Sequence, residues 1–452
     1  MDLENKEVLV IGMGISGLAT IKALNNIGAK ISITDSKTEE ELDDVLQSID
    51  HIKYNKYLGT NNVPLDNTDL IIKSPGIPPG MELIKKAYKS NIPVITDIEL
   101  GFILSPTDNI IAITGTNGKT TATTLLGEIF NKTELKTFVV GNIGVGILQE
   151  INKGKKDDVF IIEASSFQLD DTNLFKPKIS LILNISPDHL DWHGDYDNYI
   201  NAKKKIFKNQ NDNDYTVLNY DDKILKSFEN EINSKIIWFS LEEKLKEGIY
   251  LDEDYIIIND GSNKVKLMSI SEIKVPGKHN MENILGSIGV AYAMGVDLEI
   301  IKSSIKAFQG IEHRLEFVEE KNGISFYNDS KGTNIEASIK AIEAINTPIT
   351  LIAGGYDKKI EFDDLIRNFN NVKVLILLGE TKEKIKNAAI RNNFERYYLV
   401  KDMKEAVELA YKLSHKGDSI LLSPSCASWG MYNSFEERGN HFKKLVSNLE
   451  EE

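Results

Sequence analysis

The stretch IIAITGTNGKTT, Ile110–Thr121, decides the fold of this chain. A short apolar run leads directly into a glycine loop that ends in Gly-Lys-Thr, and a helical pattern follows. Strand, glycine loop and helix in this order are typical of a phosphate-binding loop, whose backbone N–H groups surround phosphate oxygens. The common form of that loop has a glycine where this chain has Ile113, so only the shorter form TGTNGKTT fits. The sequence predicts that Lys119 reaches the terminal phosphates of a nucleotide and that the Thr120 hydroxyl binds magnesium.

A second glycine motif, VLVIGMGISG at Val8–Gly17, lies near the N-terminus. It follows a strand pattern, precedes a helical one, and is followed by a further strand pattern and Asp35, as in a dinucleotide-binding fingerprint. The turn would hold a pyrophosphate at the helix N-terminus, and Asp35 could accept from a ribose hydroxyl. Alone, the motif favours a nicotinamide dehydrogenase. Two other interpretations fit it: a nucleotide sugar bound at the same turn, and a glycine-rich turn that packs helix on strand without any ligand. The loop Ser74–Gly76 ends another strand and would face the same crevice.

Short, β-branched apolar runs recur along the chain, and amphipathic helical stretches separate many of them. This alternation predicts buried parallel strands joined by crossover helices, and therefore α/β domains whose sites lie at the carboxyl ends of the strands. The predicted strands are Val8–Ile11, Ile31–Ile33, Leu70–Ile72, Ile110–Ile113, Val159–Ile162, Leu181–Leu183, Ile349–Ala353, Val374–Leu378 and Ile420–Leu422.

The pattern changes between residues 214 and 275, where short alternating strands such as Tyr255–Ile258 and a turn at Asn259 predict an antiparallel patch. Two domain boundaries are indicated, one at the proline-containing stretch around Pro93 and Pro106, the other after the helix that ends near Ala307. We therefore predict three domains, at residues 1–98, 99–308 and 309–452.

Composition limits the classes of function. The chain has 452 residues, of which 41% are hydrophobic and 27% charged, as in globular proteins. Its one cysteine, Cys426, cannot form an internal disulfide or a cysteine zinc cluster, and suits a reducing cytoplasm. The net charge of −15 argues against nucleic-acid binding through bulk electrostatics. With no long apolar run or signal peptide apparent, we expect a cytoplasmic protein without membrane insertion. We also expect a monomer, although the sequence does not reveal the oligomeric state.

A chain with both glycine loops is poorly explained as a dehydrogenase, because hydride transfer needs no triphosphate. Further motifs follow the two loops. In their order along the chain, these motifs resemble the Mur ligase family, ATP-dependent amide-bond-forming enzymes of bacterial peptidoglycan synthesis. The motifs are GNIG (141–144), EASSFQL (163–169), NISPDHLD (184–191), PGKHNMEN (276–283), HR (313–314), NDSKGTN (328–334), GGYDK (354–358) and LSPSCASWGMYNSFEERG (422–439).

Within the family, the chain resembles the D-glutamate-adding member most in Ser165–Leu169, in the Gly12–Gly17 turn and in Cys426–Phe435. It lacks the Asp-Asn-Pro-Arg motif of the diaminopimelate-adding member. The resemblance implies a Rossmann-like N-terminal domain for a UDP-sugar, a central P-loop ATPase-like domain and a Rossmann-like C-terminal domain for the amino acid. It also implies that ATP, D-glutamate and UDP-N-acetylmuramoyl-L-alanine react through an acyl phosphate and a tetrahedral intermediate.

The resemblance assigns roles to residues in each domain. Implied ATP contacts are Gly115, Thr116, Asn117, Gly118, Lys119, Thr120, Thr121, Asn280, Asn283, Arg314, Asp329 and Lys331. Implied UDP-sugar contacts are Gly14, Ile15, Ser16, Asp35, Ser36, Ser74, Pro75, Gly76, Asn142, Ser165 and His189. Implied D-glutamate contacts are Thr333, Lys358, Ser428 and Phe435.

Two magnesium sites are implied as well, held by Thr120, Glu163, His189 and Lys203. Glu163 and His189 each come just past an apolar strand, where a parallel sheet delivers side chains to its crevice. The resemblance implies that Lys203 is carbamoylated, which would turn an ammonium into an oxygen ligand. Lys119, His189 and Lys203 are the expected catalytic residues. Two alternatives remain: a nicotinamide-dependent oxidoreductase and a nucleotide-binding regulator without turnover.

Overall fold

A computed structural model describes residues 2–60, 62–142, 144–358 and 360–450. It contains three mostly parallel sheets flanked by helices, which confirms the predicted three-domain α/β class. By compactness the chain forms two units: Met1–Ile270 with Glu282–Ile305, and Ser271–Met281 with Lys306–Glu452. Among the described helices, none is long and apolar enough to cross a membrane.

The first sheet has five parallel strands in the order β3-β2-β1-β4-β5. Its strands are β1 (Glu7–Ile11), β2 (Lys30–Asp35), β3 (Tyr54–Leu58), β4 (Leu70–Lys73) and β5 (Val94–Ile95). The helices of this part are α1 (Ile15–Asn26), α2 (Asp43–Gln47), α3 (Glu82–Lys89) and α4 (Asp97–Ile103). Both loops predicted to hold a pyrophosphate-bearing ligand leave neighbouring strands, β1 and β4, at the same edge of the sheet.

The second sheet has nine strands, β6 to β14, in the order β14-β13-β12-β11-β10-β9-β6-β8-β7. They are β6 (Ile110–Thr114), β7 (Thr137–Gly141), β8 (Val159–Glu163), β9 (Ile179–Ile182), β10 (Tyr215–Asn219), β11 (Lys235–Ser240), β12 (Gly248–Asp252), β13 (Tyr255–Asn259) and β14 (Lys264–Ser269). The helices from here to residue 307 are α5 (Lys119–Phe130), α6 (Ile147–Glu150), α7 (Ser166–Asp170), α8 (Leu190–His193), α9 (Tyr196–Lys204), α10 (Lys223–Ser227), α11 (Lys278–Ala293) and α12 (Leu298–Ala307).

The antiparallel part of this sheet is smaller than predicted. Antiparallel pairing was expected from residue 214 onward, but β10 pairs in parallel with β9 and β11, and only the hairpins of β12, β13 and β14 are antiparallel. The reason is α10, which lies between β10 and β11 and returns the chain for parallel pairing. The predicted turn after Asn259 does join β13 to β14.

The second unit contains a six-stranded sheet in the order β15-β16-β20-β17-β18-β19, and only its edge pair β15–β16 is antiparallel. Its strands are β15 (Glu316–Lys321), β16 (Ile324–Asn328), β17 (Ile349–Ala353), β18 (Val372–Leu377), β19 (Tyr397–Leu399) and β20 (Ser419–Leu422). Its helices are α13 (Ile335–Glu343), α14 (Asp363–Arg367), α15 (Lys382–Arg391), α16 (Met403–Leu413) and α17 (Phe435–Ser447).

The first two sheets share one hydrophobic core. Val8 and Val10 of β1 belong to the same buried cluster as Ile110 of β6 and Phe160 of β8. Burial of this apolar surface is the main term that holds the two sheets together. The domain boundaries at 98/99 and 308/309 stay predictions; the first falls inside α4.

The N-terminal glycine turn allows a close backbone contact. A Cβ atom on Gly17 would lie 1.8 Å from the Gly12 carbonyl oxygen, whereas a Cβ atom on Gly14 would meet nothing within 4 Å. Glycine at the third position of the motif is therefore required for packing of α1 on the turn.

We expect Gly17→Ala to lower the free energy of unfolding of this unit by about 3 kcal/mol, because backbone must move to admit the methyl group. Gly14→Ala is the matched control and should cost far less. Urea unfolding followed by circular dichroism measures both. Equal midpoints for the two variants would contradict the close contact.

Candidate functional site

The phosphate loop joins β6 to α5, as its motif predicts. Gly118 has φ +85°, a left-handed conformation that side chains rarely adopt, and it precedes the first residue of α5. A Cβ atom there would lie 2.0 Å from the Asn283 side-chain oxygen. The Asn283 amide thus packs directly on the loop, and its buried nitrogen has no hydrogen-bond partner among the described residues.

The loop is fixed from below by the segment after β9. Thr116 N–H donates to the Asn184 carbonyl at 3.0 Å, and Asn117 N–H donates to the Asn184 side-chain oxygen at 2.9 Å. The Thr116 hydroxyl lies 2.9 Å from the Tyr199 hydroxyl of α9. Sequence reasoning assigned no role to Asn184 or Tyr199, although Asn184 stands just past a predicted strand.

Two lysine side chains converge on this loop. The Nζ atoms of Lys119 and Lys203 both donate to the Gly115 carbonyl oxygen at 2.8 Å. Lys203 is only 1% exposed, and the burial, together with the nearby Lys119 charge, lowers its pKa well below the usual value, while Asp188 opposes the shift. The structure therefore places Lys203 where burial and a neighbouring like charge disfavour its protonated form.

Glu163 ends β8 beside the loop, as predicted for a strand-end carboxylate. Its Oε1 accepts from the Asn142 side-chain amide at 3.1 Å, while its buried Oε2 has no hydrogen-bond partner among the described residues. A buried, half-satisfied carboxylate is costly unless a cation or donor completes it, so Glu163 fits a metal ligand. Ile143, next to Asn142 in the GNIG motif, lies outside the described residues.

His189 is more open than Glu163. Its backbone is left-handed, with φ +51°, its side chain is half exposed, and its Nε2 lies 3.5 Å from the Asp188 carboxylate. The described part of the chain contains no group of three His, Cys, Asp or Glu side chains that could hold a metal by themselves. The predicted magnesium ligands also include Thr120 and Lys203, and the complete set stays a prediction.

A buried histidine that sequence reasoning missed supports the same region. His193, at the end of α8, lies 3.0 Å through Nε2 from the Ser166 hydroxyl, and burial lowers its pKa. Its ring stacks on Phe167, which also contacts the ring of His189. His193 therefore joins α8, which follows His189, to α7.

At the N-terminal turn, the Asp35 side chain hydrogen-bonds to backbone N–H groups of the protein. Its two carboxylate oxygens accept from the N–H groups of Met13 at 2.7 Å and Lys37 at 3.0 Å. Asp35 thereby fixes the turn, and its contact with a ribose stays a prediction. Gly14 and Ile15 are exposed at the start of α1, as a ligand site requires.

The loop after β4 packs on this turn. The Ser74 hydroxyl donates to the Gly12 carbonyl at 3.3 Å, and Ile77 N–H closes a turn onto the Ser74 carbonyl at 2.9 Å. Pro75 and Gly76 form the outer side of the loop and are partly or fully exposed. The two predicted halves of the UDP-sugar site, Gly14–Ser36 and Ser74–Gly76, are therefore brought together.

A buried polar network connects this turn to the central sheet. The Gln168 amide nitrogen donates to the Asp97 carboxylate at 3.2 Å, and the Ser16 hydroxyl hydrogen-bonds the same carboxylate. Gln168 also accepts from Ser165 N–H at 3.2 Å and completes the cap of α7. Burial raises the pKa of Asp97. Ser16 and Ser165, both predicted to contact the UDP-sugar, thus share one framework.

In the second unit, Asp329 follows β16 and is deeply buried. Its carboxylate accepts from Leu315 N–H at 3.2 Å and from the Ser423 hydroxyl at 2.6 Å. Burial raises its pKa from 3.8 to about 7, against these hydrogen bonds. A Cβ atom on Gly332 would lie 2.3 Å from the carboxylate, so the glycine lets the chain fold tightly over it.

Three of the predicted D-glutamate residues, Thr333, Lys358 and Ser428, stand on loops after β16, β17 and β20, and Phe435 is the first residue of α17. The Lys358 ammonium donates to the Thr333 carbonyl at 3.3 Å. Buried Arg438 of α17, which sequence reasoning missed, ties two of these loops together by donating to Ser330 and to the Cys426 carbonyl. Burial lowers the pKa of Arg438 to about 10.

The remaining predicted residues of this unit differ in exposure and in their contacts. Ser428 is buried, and Lys331 Nζ lies 5.6 Å from the centre of the Phe435 ring. Arg314 is exposed. The Asn280 amide donates to the Pro276 carbonyl at 2.7 Å, so its nitrogen is used within its own segment.

Models of three protein-domain families match the chain in succession. The Mur ligase MurD-like N-terminal domain matches residues 6–96, the Mur ligase middle domain matches 113–291, and the Mur ligase glutamate ligase domain matches 313–426. Each match covers most or all of a different one of the three sheets.

Whole-length relatives agree with these matches. The chain is 45% identical over 451 residues to the UDP-N-acetylmuramoylalanine--D-glutamate ligase of Clostridioides difficile strain 630, covering 99% of this chain and 100% of the relative. It is 45% identical over 453 residues to the enzyme of the same name from Thermoanaerobacter sp. strain X514, with the same coverage.

Solved structures share the fold at low identity. The UDP-N-acetylmuramate-alanine ligase MurC of Thermotoga maritima is 17% identical, with a TM-score of 0.54 over 98% of this chain and 99% of that one. The MurF ligase of the same organism, solved in complex with ADP, is 17% identical, with a TM-score of 0.56 over 93% and 96%.

The raised pKa of Asp329 predicts how stability changes with pH. The folded state keeps the proton up to about pH 7, whereas the unfolded chain releases it near 3.8, so stability is lost as pH rises between these values. Asp329→Asn removes this titration and mimics the protonated form. We expect its melting temperature, relative to the natural protein, to rise between about pH 5 and pH 8.

Asp212→Asn, at an exposed carboxylate, is the control and should show a constant difference. Differential scanning calorimetry at both pH values measures the effect. A constant difference for Asp329→Asn as well would contradict the burial of a costly charge.

Proposed function

Because this chain belongs to the Mur ligase family, we propose that it joins D-glutamate to UDP-N-acetylmuramoyl-L-alanine at the expense of ATP, in peptidoglycan precursor synthesis. One observation carries the proposal: the 45% identity to D-glutamate ligases extends over 99% of the chain. No comparison supports the nicotinamide oxidoreductase interpretation of the first glycine turn.

The chemistry explains why three sites are needed. A carboxylate oxygen of the UDP-sugar attacks the γ-phosphorus of ATP, and ADP leaves. The neutral amine of D-glutamate then attacks the acyl carbon of the acyl phosphate, giving a tetrahedral intermediate that expels phosphate and loses a proton. Because the reacting groups are anions, fixed cations and oriented N–H groups between them dominate the stabilisation of the transition state.

In this proposal the phosphate loop binds ATP through Gly115–Thr121. The N–H groups at the start of α5 face the phosphates, and the helix N-terminus favours negative charge. Lys119, which rests on the carbonyls of Gly115 and Thr116 at 2.8 and 2.9 Å, would leave them for phosphate oxygens. Asn280, Asn283, Arg314, Asp329 and Lys331 complete the proposed ATP contacts.

The metal ligands we propose are Thr120, Glu163, His189 and Lys203. Bound magnesium would neutralise phosphate charge and so lower the repulsion between the two reacting anions. The Glu163 Oε2, which has no hydrogen-bond partner within the described ranges, fits this role. Lys203 fits only after modification: its neutral Nζ attacks carbon dioxide, forms an N–C bond and releases a proton, which leaves a carboxylate on the side chain. Burial and the Lys119 charge lower the pKa of Lys203, which favours the neutral amine that this step needs.

The other two substrates are proposed to bind at loops of the first and third sheets and of the central sheet. The UDP moiety binds to Gly14, Ile15, Ser16, Asp35, Ser36 and Ser74–Gly76. The muramoyl-alanine end binds to Asn142, Ser165 and His189. Thr333, Lys358, Ser428 and Phe435 bind D-glutamate. We further propose a cytoplasmic monomer with one domain for each substrate, at 1–98, 99–308 and 309–452.

The activity predicts a strict substrate dependence. Purified protein with magnesium and ATP should release phosphate only when both UDP-N-acetylmuramoyl-L-alanine and D-glutamate are present. Lys119→Ala should lower the rate by about a hundredfold or more, because a phosphate-stabilising cation is lost. Equal release with L-alanine or diaminopimelate in place of D-glutamate would reject the assignment, and unchanged turnover in Lys119→Ala would reject the phosphate-loop role.

Modification of Lys203 can be tested without turnover. In ¹³C-bicarbonate we expect one protein carbamate signal by ¹³C NMR, absent in Lys203→Arg. Lys204→Arg and Lys205→Arg are matched controls, because these neighbours are partly exposed and pair with Glu231 and Asp170 instead of lying beside the loop. A signal that survives in Lys203→Arg and disappears in either control would move the site by one or two residues.

A further inference from the structure

Lys73 is a fully buried charged residue to which the proposed chemistry assigns no role. It is the last residue of β4 and only 1% exposed, and the proposed uridine loop Ser74–Gly76 follows it directly. A buried ammonium is expensive unless it is paired and hydrogen-bonded. Its partners therefore show what the charge is used for.

One partner closes the loop. Lys73 Nζ donates to the Ile77 carbonyl at 2.9 Å, so the same side chain fixes both ends of the four-residue turn. Ser74 and Ile77 of this loop face Gly12, where an added Cβ atom would lie 2.7 Å from the Ser74 hydroxyl and 3.7 Å from Ile77 Cδ1. The position of Lys73 is thus transmitted to the pyrophosphate turn by direct packing.

The other partners belong to the central sheet. Lys73 Nζ forms an ion pair with the Asp171 carboxylate at 2.9 Å, at the end of α7, and lies 5.7 Å from the centre of the Trp192 ring in α8. The α7 helix begins just after Ser165, and α8 begins just after His189, two residues proposed to hold the muramoyl end. Lys73 therefore contacts the elements that carry both ends of the proposed UDP-sugar site.

We propose that the buried Lys73–Asp171 pair is a positioning device that sets the uridine loop relative to α7 and α8 and so determines the affinity for the UDP-sugar. This inference rests on the proposed function, because it takes the loop and the two helices as parts of one binding site. The pair acts through the loop and does not touch the reacting atoms.

The test uses the full chain and three variants: Lys73→Met, Asp171→Asn and the double variant. We expect Lys73→Met and Asp171→Asn each to raise the Kd and KM for UDP-N-acetylmuramoyl-L-alanine about tenfold, ~1.4 kcal/mol. The KM values for ATP and D-glutamate should stay within about twofold. Since both residues act as one unit, the double variant should lose no more affinity than Lys73→Met alone.

Tyr88→Phe is the matched control. The Tyr88 hydroxyl donates to the other Asp171 oxygen at 2.7 Å, so this change removes a bond to the same carboxylate without touching the loop. Its UDP-sugar affinity should stay within about twofold. The double variant also guards against misfolding, because it leaves no unpaired buried charge where Lys73→Met leaves Asp171 without its cation.

Calorimetric titration of the UDP-sugar, substrate-dependent initial rates and melting temperatures separate the outcomes. A lower melting temperature with unchanged UDP-sugar affinity in all three variants shows a merely structural pair and overturns the inference alone. Equal loss of affinity for ATP overturns it as well. If the natural protein does not bind the UDP-sugar at all, the proposed function fails, and the inference fails with it.

Discussion

One backbone carbonyl receives two lysine side chains, and the candidate site depends on this arrangement. Lys119 and Lys203 both donate to Gly115 O, so a partly exposed ammonium lies close to a lysine that is fully buried. The repulsion, together with burial, lowers the pKa of Lys203. In the proposed reaction, this repulsion would diminish when Lys119 moves to a polyphosphate or when Lys203 carries a carboxylate. The arrival of anions would then lower the electrostatic energy of the loop.

The placement of these two lysines matters because the net charge of the chain has the same sign as the charge of the proposed substrates. The net charge is −15, and ATP, D-glutamate and the UDP-sugar are all anions. Exposed charges farther apart than about 8 Å are largely screened at physiological salt, so the few cations at short range decide the interaction. Backbone N–H groups at the starts of α1 and α5 add positive potential that no pH change removes. Placement of charge, more than its amount, therefore governs binding.

The sequence predicts those parts of the site that depend on strand order. Parallel strands end at one edge, so Gly115, Glu163 and Asn184 could be expected to converge from their positions after apolar runs. Partners chosen by packing were not predictable. Asp35 has the spacing of a ribose ligand, yet both its oxygens accept from nearby backbone. Lys73 and Asp171 carry no periodic signal that links them, because the contact exists only where two sheets share a core.

In the second unit, too, some buried polar side chains hold loops in place, while other residues on those loops are the proposed substrate contacts. Arg438 directs its donors to two carbonyl oxygens and a hydroxyl instead of a carboxylate, so the loops after β16 and β20 are joined without neutralising its charge. Asp329 is buried beside this framework, and burial raises its pKa although Arg438 and two hydrogen bonds favour the charged form. Burial thus disfavours the charge on Asp329, while the Arg438 guanidinium is paired only with uncharged acceptors. Positive charge on these loops, with Lys358 exposed beside Thr333, would suit the two carboxylates of D-glutamate at the proposed contacts.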